Sequence, residues 1–171
     1  MDHAQSHVIA YGLVEMNRES IALESVDDYY KLAKRFYENA KEYYELCEQA
    51  MPLLYKGNWA LSVNACFACE LFLKALLLAE QYNFYKMKKP EKRHNLNDLF
   101  SHLSDEVKDY IRNYDKMKPF GRFDMDLKQI GNGFEVIRYM PECKGMMVNV
   151  NFLFNFLCAL ADECMHVISR I

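Results

Sequence analysis

Apolar residues recur every three or four positions from Asp27 onward. Tyr29, Ala33, Phe36, Ala40, Tyr43, Cys47 and Ala50 form one stripe, and Lys31, Lys34, Glu38, Lys41 and Glu45 take the opposite face. That period predicts a long amphipathic helix, laced by opposite charges at 34→38 and 41→45 and ended by Pro52 and Gly57. The next run, about Asn58 to Gln81, is apolar all round, which marks a central helix rather than a surface one. At its heart stands "ACELFLKALLLAE", where Glu70 and Lys74 are the only charges before Glu80.

Beyond it, Pro90 interrupts "NFYKMKKPEKRHNLNDLF", leaving Lys86, Lys88, Lys89, Lys92 and Arg93 on a loop or helix end. Asn95 or Asn97 can cap a short third helix through about Leu103, and Ser104 or Asp105 a fourth through about Tyr114. "KPFGR" and "GNG" are breakers around a weakly patterned stretch, and Pro141 and Gly145 precede a last helix, about Met146 to Ile168. Val150, Leu153, Phe154, Leu157, Ala161, Cys164 and Ile168 form the inner stripe of that helix. Phe152 and Phe156 lie off it, on a span with no charge from Met146 to Ala161. An apolar surface wider than one stripe needs a second partner. Either the helix is internal, or it closes a homodimer through Phe152 and Phe156. With no convincing strand and no repeat, the pattern predicts an all-α, up-and-down bundle of about five helices, with a long irregular connection before the last. Residues 1–26 read as an arm and 27–171 as one domain.

Composition adds limits. The chain has 171 residues and a formal net charge of −3, so no global field draws it to DNA or an anionic membrane; a nucleic-acid contact has to be local. Glu70 and Lys74 would each cost about 2.5–3.5 kcal/mol at the centre of a bilayer, which argues against a membrane span. The acidic start and the short apolar piece broken by Gly12 do not read as a signal peptide, so the expectation is a cytoplasmic protein with reduced thiols. Cys66-Phe-Ala-Cys69 falls mid-helix, away from the strand–helix junction of redox pairs, and no second pair completes a zinc set. Buried small hydrophobes account for it, and no metal or cofactor is implied.

The order of these pieces resembles the HEPN domain family (higher eukaryotes and prokaryotes nucleotide-binding). The resemblance rests on "ELFLKALL" at 70–77, "HNLNDL" at 94–99 and "FEVIRY" at 134–139, and covers about 29–168. It implies a helical bundle, often dimeric, in a bacterial defence or toxin–antitoxin setting, with RNA, a nucleotide or a nucleotidyltransferase-like protein as partner. Many such domains are metal-independent ribonucleases carrying Arg, four to six residues, then His. None of the histidines here (3, 7, 94, 102, 166) has that Arg; Lys89 precedes His94 at the matching distance, a point charge where a bidentate fork is wanted.

The expectation is therefore a non-catalytic HEPN-like module that binds RNA, a nucleotide or a partner protein, without reading DNA sequence. The alternative is an endoribonuclease with a diverged site, His94 acting as acid and base. The residues singled out are Glu70, Lys74, Lys89, Arg93, His94, Arg138 and Tyr139. On one reading they line a polar pocket for a phosphate or a 2′-hydroxyl. On the other, Glu70 and Lys74 form a partly buried ion pair that tethers helix two to the segments crossing it.

Overall fold

The computed structural model describes residues 23–50, 59–117, 121–134 and 149–171. Helix α1 spans Val26–Gln49. Its start is fixed by a reciprocal cap: the Ser25 hydroxyl accepts from the Asp28 amide at 3.2 Å, and the Ser25 amide donates to the Asp28 carboxylate at 3.0 Å. Leu23, just ahead of the cap, already packs on the core, so the arm expected through residue 26 yields its last residues to the domain.

Helix α2 spans Trp59–Ala79, and every residue from Ala68 to Leu78 is buried, Glu70 and Lys74 included. It packs against α1 and against the last helix, which is why its sequence has no polar face. Ala33 and Ala40 of α1 and Ala65, Ala68 and Ala75 of α2 are all fully buried in the core that the two helices share. The end of α2 is a left-handed cap at Gln81, φ 59°. There the Tyr82 amide reaches the Leu77 carbonyl at 2.8 Å and the Gln81 amide reaches Leu78 at 2.9 Å.

Two short 3₁₀ turns follow, Phe84–Lys86 and Pro90–His94. Helix α3 (Leu96–Ser101) starts at Asn95, whose side chain accepts from the Asp98 amide, and α4 (Asp105–Asn113) starts at Ser104, whose hydroxyl accepts from Val107. A further helix, α5 (Phe123–Ile130), occupies the stretch that reads in sequence as a weakly patterned, irregular connection. Its Phe123, Leu127 and Ile130 keep helical spacing, but the breakers on both sides and the absence of a side-chain cap hide it. Helix α6 spans Val150–Ile168, capped by Asn149, whose side chain accepts from the Phe152 amide. The expected start at Met146 lies outside the described residues. These six helices, with no strand among the described residues, make an all-α bundle.

Helix α5 also corrects the expected dimer face. Phe152 and Phe156 are fully buried inside the single chain, their rings nearly parallel at 5.8 Å. Phe123 of α5 meets them edge-on at 5.5 and 6.0 Å, and Phe100 of α3 closes on Phe156 at 5.9 Å. The second partner that their off-stripe positions require is this chain's own α5. Helices α2 and α6 are each long and apolar enough to cross a membrane by length and composition, as core helices also are, and most of α2 is buried in the bundle.

Candidate functional site

Four residues apart on α2, Glu70 and Lys74 project from one face, and the side chains meet at 2.6 Å. The Lys74 ammonium also lies 5.3 Å from the centre of the Phe84 ring and 6.0 Å from that of Phe36, a cation held over aromatic faces out of water. The same Glu70 oxygen, Oε1, contacts His94 Nδ1 at 2.9 Å. Two groups thus converge on one carboxylate oxygen, while its other oxygen, Oε2, is buried with no hydrogen-bond partner among the described residues.

His94 is delivered by the second 3₁₀ turn, and the local sequence explains its rigidity. Pro90 opens the turn, Asn95 immediately after it caps α3, and the Lys92 ammonium reaches Asp98 on α3 at 3.0 Å. The Leu96 amide donates to the Gly131 carbonyl at 2.8 Å, and the Asn95 side chain donates to Asn132 at 2.6 Å. A Cβ at Gly131 would sit 3.1 Å from the Asn95 side chain, so this approach favours a glycine. His94 is therefore clamped between α2 and the end of α5.

An ionised carboxylate only accepts, so a neutral His94 donates from Nδ1 and carries its lone pair on Nε2. With 55% of its side chain exposed against 2% for Glu70, the ring bridges a buried anion and the solvent. Chemically, this is an oriented imidazole that can accept or donate a hydrogen bond, or move a proton, at the surface.

The other expected site residues divide. Lys74 and Glu70 are buried, Glu70 holding His94 directly and Lys74 pairing with Glu70. Arg93 turns inward, donating to the Met87 carbonyl at 3.1 Å with its Nε buried and unpartnered among the described residues, so it too braces the turn. Lys89 is exposed and lies away from this cluster, in a groove of about 390 Å³ with Lys86, Lys88, Lys92, Tyr82 and His102. Arg138 and Tyr139 lie outside the described residues.

That groove contains what sequence reasoning passed over. His102 has no motif context, yet its ring stacks on Tyr82 at 4.8 Å and 21°. The exposed lysines and the stacked pair share one surface. Phe84, adjacent in sequence to the basic cluster, is instead a core residue beneath Lys74. Cys66 and Cys69 are fully buried, and burial pushes the Cys66 thiol up to about 12, which suits inert packing. The described residues include no cluster of histidine, cysteine and carboxylate side chains suited to a metal ion.

No protein-family model matches the chain, and no curated protein or solved structure matches it either.

Proposed function

We propose that this chain is an HEPN-like helical module that binds RNA or a nucleotide through phosphate contacts on the surface formed by residues 82–102, without chemistry of its own. The observation that carries the reading is the Glu70–His94 contact: a buried carboxylate fixes an exposed imidazole at the end of the Pro90–His94 turn, and the exposed Lys86, Lys88 and Lys89 lie on the segment leading into it. Lysines supply the salt-dependent phosphate attraction. The Tyr82–His102 stack offers an aromatic face for a base, and base stacking tolerates any sequence. A nucleotidyltransferase-like partner and a bacterial defence or toxin–antitoxin setting belong to the same proposal through the resemblance to the family.

Fluorescence anisotropy with a labelled single-stranded RNA, and with a labelled nucleotide, tests it. Saturable binding that weakens with salt and is lost in Lys86→Ala/Lys88→Ala/Lys89→Ala is the expected result. Absence of saturable binding for both ligands at low salt overturns it.

One observation favours a second reading, a metal-independent endoribonuclease. A carboxylate on Nδ1 with Nε2 left open is the arrangement that general acid–base catalysis needs. Stabilising the phosphate then falls to Lys89 or Arg138, since Lys74 is buried against Phe84 and Phe36. RNA cleavage in EDTA that disappears in His94→Ala establishes that reading over the first.

A further inference from the structure

On another side of α2, and independent of the His94 reading, α1, α2 and α6 leave a cavity of about 230 Å³ between them. Phe72 lies on its wall, only two residues from Glu70 but turned roughly 200° around the helix. Tyr37 and Tyr44 of α1 also line it, tilted against the Phe72 ring at 6.1 and 6.3 Å, and Tyr114 adds a fourth ring. These rings are pre-set. Phe72 is locked in the core, and the Tyr44 hydroxyl donates to Glu48 at 2.6 Å. Burial raises the Tyr37, Tyr44 and Tyr114 phenols above their ordinary value, so all three stay neutral, electron-rich faces at physiological pH.

The charged groups on the same wall are unequal. Glu45, Glu48 and Asp162 contribute carboxylates, and Asp162 is held in place by the Tyr110 hydroxyl. Against them stands Lys41, 3.9 Å from Glu45, while Lys116 acts on Cys158 and Tyr114 from outside the lining. Phosphates and carboxylic acids meet repulsion here. A bare divalent metal would find rings where it needs oxygen donors. An organic cation finds what suits it: aromatic faces attract its charge through their quadrupoles, and the carboxylates neutralise it at the rim. A dry cavity of about 150 Å³ holds a benzene-sized guest, so the volume here admits a slightly larger one.

We propose that this cavity binds a small organic cation with a methylated or quaternary ammonium head, seated against Tyr37 and Tyr44, which the buried Phe72 backs, with Glu48 and Asp162 as counter-charges. Choline and its neutral carbon isostere 3,3-dimethylbutan-1-ol are probes of equal shape and different charge. Titrated into the full chain and followed by amide NMR shifts, choline is expected to saturate and to bind about tenfold more tightly than the alcohol. The shifts should centre on Tyr37, Tyr44 and Ala161. Glu48→Gln, which keeps the shape of the wall, should weaken choline severalfold and leave the alcohol unchanged; Tyr44→Leu should weaken both. Equal affinity for the two probes overturns the proposal, because the cavity is then merely apolar. So does the lack of saturable choline binding at millimolar concentration, or a Glu48→Gln protein that folds and binds choline as before.

Discussion

Replacing Lys74 by Met tests the energetic role of the ion pair inside α2. The substitution keeps an unbranched chain over Phe84 and deletes the ammonium with its charge and its hydrogen bond to Glu70. At 2.6 Å, with an effective dielectric constant near 20, the gross attraction between Lys74 and Glu70 is about 6 kcal/mol. Most of that is offset by the desolvation of two side chains that are 8% and 2% exposed, so the pair as a unit contributes little net stability. Removing one member is different. Among the described residues Glu70 would then keep only His94 on Oε1 and nothing on Oε2, at a cost of about 3–5 kcal/mol. Urea unfolding of Lys74→Met should show that loss. In Glu70→Gln/Lys74→Met no buried charge is stranded, and stability should return to within about 1.5 kcal/mol of the parent chain. The decisive quantity is the coupling in the double-mutant cycle. A single variant that loses less than about 1 kcal/mol, or a double variant no more stable than the single, refutes the claim that this pair is desolvated and mutually dependent.

Three further outcomes follow from other parts of the fold. Phe156→Ala should cost about 3–5 kcal/mol in chemical denaturation, because the ring fills space among Phe100, Phe123 and Phe152; a stable variant with altered sedimentation would restore an interface role instead. Gln81→Gly should raise stability by roughly 0.5–1 kcal/mol, since the left-handed backbone there penalises a side chain; a lower thermal midpoint contradicts the cap assignment. Burial raises the Glu163 carboxyl above its ordinary range. A raised folded-state value means the group favours folding while protonated, and that contribution fades as pH climbs through the folded value. Glu163→Gln should therefore raise the melting temperature at neutral pH, with the gain shrinking toward pH 4, and an equal gain at both ends would exclude titration as its cause.

Which parts of this molecule the sequence alone determined depends on how local the controlling physics is. Helix α1 was legible because its stripe and its charge spacing are short-range, although of the two expected pairs Lys41 meets Glu45 while Lys34 reaches the Ile171 carbonyl instead of Glu38. The central position of α2 followed from its lack of a polar face, and the caps at Asn95 and Ser104 were visible as residue types before a helical run. The link between Glu70, Lys74 and His94 was also foreseeable, since a charge in such a helix must find partners.

Tertiary structure decided what side chains face, and that depends on elements distant in sequence. Phe152 and Phe156 look like a surface in search of a second chain until α5 folds across them, and α5 itself is too short and poorly capped to announce its presence. Arg93 and Lys89 read alike in a basic run, yet a 3₁₀ turn sends one inward to Met87 and leaves the other in solvent. The stack of His102 on Tyr82, and the wall shared by Tyr37, Phe72 and Asp162, bring together residues whose separation along the chain carries no periodic signal. Periodicity reports how one helix is buried, and the burial of its neighbours fixes which groups remain for chemistry.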